Sequence, residues 1–526
     1  MSIKIRLTIM NFLQFFVWGA WLITIANYWF GTKNWDGTQF GAIFSTMGIA
    51  SLFMPTIVGI VADRWVNAEK LYALLHFLYA VCLIYLAKVD HPTTFFTVML
   101  TAMCCYMPTL ALSNSIAYSS LTSAKYDLIK AFPPIRVWGT VGFIIAMWIT
   151  NLTGNKATAF QFYIAAAGSI TVALYALFMI PKCPPQRLIK ENAKWTEIFG
   201  LEAFKLFGNY KMALFFIFSM FLGAALQLTN AYGDVFLSEF AFFPKYADSL
   251  VVERSTIIMS ISQISETLFI LAIPFFLKRF GIRNVMLFAM IAWVLRFGLF
   301  ALGNPAEGLW MIILSCIVYG LAFDFFNISG SLFVESSTDS KIRSSAQGLF
   351  MMMTNGFGAV LGSQVSGWLI DKYFTIPYNN IADLSGRLET TPDNPHLLDF
   401  IKNQGSSILE GGIFDKAIFL KDWPHIWLTF AAYTLVIVIA FAILFKHKHN
   451  PEDLQKTKPL KKTGTIDDCP CLYLIKTSSY LFSCLCLRDH GDYRIDGGFS
   501  GIFHLWRSWK IRIQNNFLRL FFISIF

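Results

Sequence analysis

Ser255–Leu277, STIIMSISQISETLFILAIPFFL, runs for 23 residues with a single charge, Glu266, at its midpoint. Leu309–Val334, LWMIILSCIVYGLAFDFFNISGSLFV, likewise carries one charge, Asp324, near its centre. At about 1.5 Å per residue, a helix of such length covers roughly 35 Å, enough to cross a hydrocarbon core of about 30 Å. A carboxylate held at mid-depth costs at least about 2.5–3.5 kcal/mol on insertion scales. Such a group persists where another helix pairs it for packing or where function uses it. Two of them, each with polar neighbours at helical spacing, point to a substrate or proton pathway.

Composition agrees with a membrane chain. Of 526 residues, 56% are hydrophobic and only 14% charged, and the mean hydropathy is +0.55. That excludes an ordinary soluble globular protein. The net charge of +10 does not indicate nucleic acid, because the basic residues fall in short loops between apolar runs, where they act as topology signals. Cys82, Cys104, Cys105 and Cys316 lie within apolar runs as small hydrophobes, and Cys183 lies in a loop. Cys469, Cys471, Cys484 and Cys486 form a CxC-x12-CxC pattern that departs from the usual zinc-knuckle spacing, so neither a disulfide framework nor a metal is expected. No cofactor is implied.

Apolar runs of spanning length fall at 7–30, 38–62, 70–88, 94–118, 132–152, 159–181, 212–237, 255–277, 284–303, 309–334, 345–371 and 423–445. The fold class expected is therefore an all-α membrane protein of twelve transmembrane helices. The first run is too long for the h-region of a signal peptide and has no small-residue cleavage site. With the N-terminus inside, the cytoplasmic segments carry 24 Lys and Arg against 10 on the opposite side. This asymmetry places both termini in the cytoplasm and the 371–422 loop outside. The basic segment 182–211 divides the spans six and six, giving halves 1–181 and 212–445, which is the layout of the major facilitator superfamily. Gly59-Ile-Val-Ala-Asp63-Arg64-Trp65 after the second span is echoed by Leu277-Lys278-Arg279-Phe280-Gly281-Ile282-Arg283 after the eighth. Residues 446–526 form a tail that begins with a polar basic run and is expected to be disordered.

Polar and aromatic residues recur on single helix faces. Gln227 and Asn230 are three apart, as are Gln263 and Glu266; Tyr319, Phe323 and Asn327 are four apart, with Asp324 beside them. Arg136, Thr140 and Phe143 follow i, i+4, i+7, and Gln14 precedes Trp18 by four. If these faces turn inward, amides, carboxylates, an arginine and aromatic rings converge on one cavity. Aromatic faces suit a flat ring, paired amides suit a base edge or sugar hydroxyls, and carboxylates accept from vicinal hydroxyls. The competing reading is that the amides hydrogen-bond between helices as packing contacts. Arg296, also within a span, is expected to have a carboxylate partner such as Asp324. Asp234 reads as interfacial, and His76 and His425 as structural.

The segments FLQFFVWGAWL (12–22), FMPTIVGIVADRW (53–65), YMPTLAL (106–112), FPPIRVWGTVGFI (132–144), MSISQISETLFIL (259–271), YGLAFDFFNISGS (319–331) and SAQGLFMMMTNGFG (345–358) together resemble the nucleoside:proton symporter family of the major facilitator superfamily. Trp65 departs from the glycine usual after Asp-Arg, and both the 371–422 loop and the tail are longer than expected. The resemblance implies proton-driven import of uridine, adenosine and related nucleosides across a bacterial inner membrane by a multi-pass monomer that is not an enzyme. It implies a nucleoside site at Arg136, Thr140, Phe143, Gln227, Asn230, Gln263, Glu266, Tyr319, Phe323 and Asp324, with Glu266 and Asp324 coupling protons. A polyol carrier using the same carboxylates and a non-translocating nucleoside sensor are the alternatives.

Overall fold

A computed structural model describes residues 1–126, 128–185, 201–270, 272–338 and 343–446. The middle of the 182–211 linker and the expected disordered tail, with its four cysteines, lie outside the described residues. The chain opens with α1 (Ile3–Gly19), a π-helical turn at Asn27–Thr32, α2 (Gly37–Arg64), α3 (Ala68–Leu86), α4 (Pro92–Ser123), α5 (Leu128–Leu152) and α6 (Phe160–Met179). It continues with α7 (Tyr210–Glu239), α8 (Ser255–Ile270), α9 (Ile273–Leu302), α10 (Leu309–Ser337) and α11 (Arg343–Met351). A π-helical stretch, Met352–Gly358, leads into α12 (Ala359–Leu369).

Local sequence accounts for the helix starts. Ser2, Asp36 and Asn209 cap α1, α2 and α7 by accepting from backbone N–H groups in the first turn, and α4 begins at Pro92, where a missing N–H is harmless. Nine helices among the described residues are long and apolar enough to cross a membrane. At the three other expected spans the helix is interrupted: α1 gives way to the Asn27–Thr32 turn, α8 ends at Ile270, and α11 passes through the π-helical stretch. The expected loop at 278–284 is compressed into a break at Gly281, whose φ of 77° is a left-handed conformation that glycine adopts without steric cost.

The neighbours of the first six helices recur further along the chain. α1 packs on α5 and α6, α2 on α4, and α3 on α4 and α6. Correspondingly, α7 packs on the Met352–Gly358 stretch, α12 and the final helix α15 (Trp423–Leu444), α8 packs on α10, and α9 packs on α10 and α15. Helix surfaces sort by solvent: on α3, Tyr72, His76 and Tyr79 are buried while Leu74, Phe77, Leu78 and Val81 are exposed. In lipid, backbone groups must pair internally and polar side chains turn to other helices.

The 371–422 segment, expected as a loop, is a folded unit. Strand β1 (Thr375–Asn380) pairs antiparallel with β2 (Ile413–Lys421), in register from Thr375↔Lys421 to Asn380↔Ile413 with an irregularity between Tyr378 and Asn380. Between the strands lie α13 (Ile381–Arg387) and the amphipathic α14 (Pro395–Asn403). Leu384, Leu388, Leu397, Phe400, Phe414 and Ile418 are buried in a core of its own, which Phe242 joins with its ring centroid 4.6 Å from that of Phe400.

Candidate functional site

Three helices bring the central charges together. Arg136 on α5, Glu266 on α8 and Asp324 on α10 sense one another's charge, and Tyr319 senses both carboxylates. Among the described residues no direct ion pair joins the three. The Arg136 guanidinium instead lies over the Phe15 ring at 4.0 Å. Four-residue spacing on α10 sets the Tyr319 and Phe323 rings parallel, with 9° between planes and centroids 6.1 Å apart. Phe143 meets Trp18 edge-on at 6.3 Å.

Several buried polar atoms here have no hydrogen-bond partner: Trp18 Nε1, Gln227 Oε1, Gln263 Oε1 and Asp324 Oδ2. Buried polar groups are nearly always paired, so these atoms are left available to a polar ligand. Thr140 on α5 and Asn230 on α7 are half-buried, and among the described residues neither makes a side-chain hydrogen bond to the charged cluster. Among the described residues the Phe143 ring pairs with Trp18 and the Phe323 ring with Tyr319 rather than with each other.

Four sequence expectations change. Gln14 does not face a cavity: it donates to Thr109 at 2.8 Å, accepts from the Tyr72 hydroxyl at 2.5 Å and meets His76 Nε2 at 2.8 Å within the first six helices. Among the described residues Arg296 has no carboxylate partner. Its Nε donates to Thr229 Oγ1 and its Nη1 to Ser262 Oγ and the Ser315 carbonyl, and its guanidinium lies 4.5 Å from the Tyr319 ring centre, so neutral acceptors and a π face compensate part of the charge while Nη2 has no hydrogen-bond partner. Asp234 is not interfacial but buried, accepting from Asn27 and from Thr256. His425 is exposed and contacts Asp422, whereas His76 is the buried structural histidine expected.

Sequence reasoning missed a narrow cleft of about 20 Å3, room for about one water molecule, that opens beside Phe323, between α7, α9, α10 and the π-helical stretch. Trp293, Asn327, Thr354 and Asn355 line it. Thr354-Asn355 inside an apolar run, next to Gly356-Phe357-Gly358, was the available signal.

The chain is closed at the end carrying the 371–422 unit. Among the described residues, every hydrogen bond joining 1–185 to 201–446 lies toward that end: Asn27 to Asp234, Gly37 and Thr38 to Asp371, Trp148 to Ser260, Asn151 to the Glu253 carbonyl, and Gln364 to Ser45. There Lys156 donates to the Val252 carbonyl at 2.6 Å and to Ser238 and Ser255. Burial pulls Lys156 below the usual lysine range, while nearby Asp234 pulls it back.

A helical membrane bundle with opposed charges at its centre, shut at one end, defines a transporter of the major facilitator type. A model of the nucleoside H+ symporter family matches residues 1–388. Nucleoside permease NupG of Escherichia coli (strain K12) is 46% identical over 450 residues, 85% of this chain and 97% of that protein. Xanthosine permease of the same organism is also 46% identical, over 86% of this chain and 99% of its own length. The crystal structure of nucleoside transporter NupG aligns with a TM-score of 0.72, covering 85% of this chain and 100% of that one. This chain belongs to the nucleoside H+ symporter family, and it is a transporter rather than an enzyme.

Proposed function

We propose that this multi-pass protein of a bacterial inner membrane imports purine and pyrimidine nucleosides such as uridine and adenosine with protons, by alternating access. The moving parts are 1–181 and 212–445, linked through 182–211, in a monomer with both termini cytoplasmic and the 371–422 unit outside. The observation that carries this reading is the electrostatic meeting of Arg136 with Glu266 and Asp324 beside Tyr319. A symporter needs an acid whose proton affinity differs between its two exposed states, and a ligand rich in hydroxyls needs acceptors beside an aromatic platform. Phe143 on α5 and Phe323 on α10 come from opposite halves of the chain and would close on the two faces of a base. Asp324 accepts from ribose hydroxyls, Glu266 carries the proton, and Thr140, Gln227, Asn230 and Gln263 supply donors and acceptors around the ligand.

Radiolabelled uridine uptake into proteoliposomes, with and without an imposed pH gradient, tests this function. Uphill accumulation that needs the gradient and yields to adenosine but not to hexoses is expected. Uptake indifferent to pH, or equal competition by hexoses, would sink it; binding without uptake would indicate a sensor. A cysteine replacing Asp393 in a background without reactive cysteines should label with an impermeant thiol reagent in intact cells. Labelling only after permeabilisation would reverse the topology.

A further inference from the structure

Beyond Phe323, α10 continues its stripe by one turn to Asn327, and the cleft opens at that turn. Its sides are apolar, formed by Leu222, Leu226, Ala322 and Trp293. Its polar groups are few and uncommitted. The Asn327 carboxamide makes no hydrogen bond among the described residues, and that of Asn355 only touches the Met351 sulfur at 3.9 Å. The Thr354 hydroxyl donates back to the Phe350 carbonyl at 3.0 Å, which leaves its oxygen free to accept. The widened π-helical turn of Met352–Gly358 lets the adjacent Thr354 and Asn355 both line the cleft.

A slot with apolar sides and two carboxamides suits the edge of a flat heteroaromatic ring. A ribose, with its dense hydroxyls, fits better beside Arg136, Glu266 and Asp324. A carboxamide donates and accepts at once, and an asparagine pairs both the N7 acceptor and the N6 amino group of adenine. Only a purine offers that edge. A pyrimidine stacked on Phe323 has no second ring to extend past it.

We infer that Asn327 and Asn355 form a purine-selecting subsite, in which the N7 edge and exocyclic group of a purine stacked on Phe323 meet the two carboxamides at the mouth of the cleft. The inference rests on the nucleoside site proposed above and adds the part of it that separates purines from pyrimidines. A hydrogen bond to a site group accounts for roughly a three- to tenfold change in affinity.

Equilibrium competition against labelled uridine on the full-length protein tests it. Asn327→Ala and Asn355→Ala should each weaken adenosine and inosine by about three- to tenfold, with uridine changed by less than about twofold. Retained uridine binding also reports that the variants are folded. The wild type gives a test independent of folding: 7-deazaadenosine, which lacks the N7 acceptor, should bind several-fold more weakly than adenosine, and the difference should vanish in at least one of the two variants. Equal weakening of uridine and purines, or equal affinity of the wild type for adenosine and its 7-deaza analogue, overturns the subsite while leaving the nucleoside site intact. A wild type that binds no nucleoside overturns both.

Discussion

The carboxylate of Asp371 accepts a hydrogen bond from the backbone N–H of Gly37 at 2.7 Å, and a second from Thr38, so that it caps the N-terminus of α2 from a residue 334 positions away. The first turn of a helix presents unpaired N–H groups and a partial positive charge, which an anion satisfies. Asp36 caps the same helix locally, accepting from the Gln39 N–H at 2.6 Å. The two segments that meet here are held by charge-assisted bonds, each contributing about 1.5–3 kcal/mol.

Asp371→Ala should therefore favour opening at this end by about tenfold or more. Ser45, whose hydroxyl accepts from Gln364 at 3.0 Å in the closed seam, is a reporter. In a background without reactive cysteines, Ser45→Cys should react with an impermeant thiol reagent at least about tenfold faster when Asp371 is alanine. An unchanged rate would remove Asp371 from the gate.

Gly41 tests the same seam by size. A Cβ there would collide with the Ser363 carbonyl oxygen and lie 3.2 Å from the Gly367 Cα, both backbone atoms that cannot swing aside. Gly41→Ala should cost the closed state about 1–3 kcal/mol, reducing uptake while sparing protein yield. Gly59→Ala, on the same helix with nothing within 4 Å of the added Cβ, is the control and should be silent. Equal uptake by the two variants would show that the close approach is not needed for transport.

Phe323→Ala should weaken nucleoside binding by about 1–3 kcal/mol, the scale of one base–aromatic stack. Phe323→Tyr should be milder. Phe143→Ala has a second effect, because Trp18 loses its edge contact with the Phe143 ring. Isothermal titration of both alanine variants decides the matter: unchanged affinity in each would end the stacking proposal.

Glu266→Gln mimics the protonated acid, so it should bind and exchange nucleoside yet lose gradient-driven accumulation. Asp324→Asn replaces an acceptor by a mixed donor and acceptor and should impair binding itself. Counterflow and pH-driven uptake, measured side by side on both, distinguish these outcomes. Accumulation by Glu266→Gln together with full binding by Asp324→Asn would exchange the two roles.

Asp415 gives the 371–422 unit a pH dependence. The Ser407 N–H at 2.6 Å and the Ser406 hydroxyl at 2.9 Å hold its carboxyl below the usual carboxylate range. A depressed folded pKa means that the stabilisation is present above the unfolded value, about 3.9, and is lost as pH falls through the folded one. Amide exchange over 406–416, corrected for intrinsic rates, should be flat from about pH 7 to 5 and rise below about pH 4. Asp415→Asn should exchange faster at neutral pH and lose the acid response. A response that survives the substitution would belong to another group.

Much of the candidate site was legible because helical periodicity is a local rule. The stripe Tyr319, Phe323 and Asn327 needs only a spacing of four, and the stacking of Tyr319 on Phe323 follows from it. Arg296 was misread for the opposite reason. A lone cation within a span demands compensation, but whether by a carboxylate or by Thr229, Ser262, the Ser315 carbonyl and a tyrosine face depends on which helices adjoin it. Gln14 was misread in the same way, since its partners Tyr72, His76 and Thr109 are 58 to 95 residues distant.

By itself, the sequence determined the membrane class, the approximate limits of most of the spans and the helix faces that carry Arg136, Glu266 and Asp324. Those properties depend on hydropathy, rise per residue and side-chain periodicity, all expressed within one segment. Tertiary structure alone decided which polar residues are packing contacts, that the 371–422 segment folds on a core of its own, and that Asp371 reaches the first turn of α2. It also opened the cleft beside Phe323, where Trp293, Asn327 and Asn355 meet from three separate segments. Each of these joins residues far apart in the chain, where no local periodicity records the distance between them.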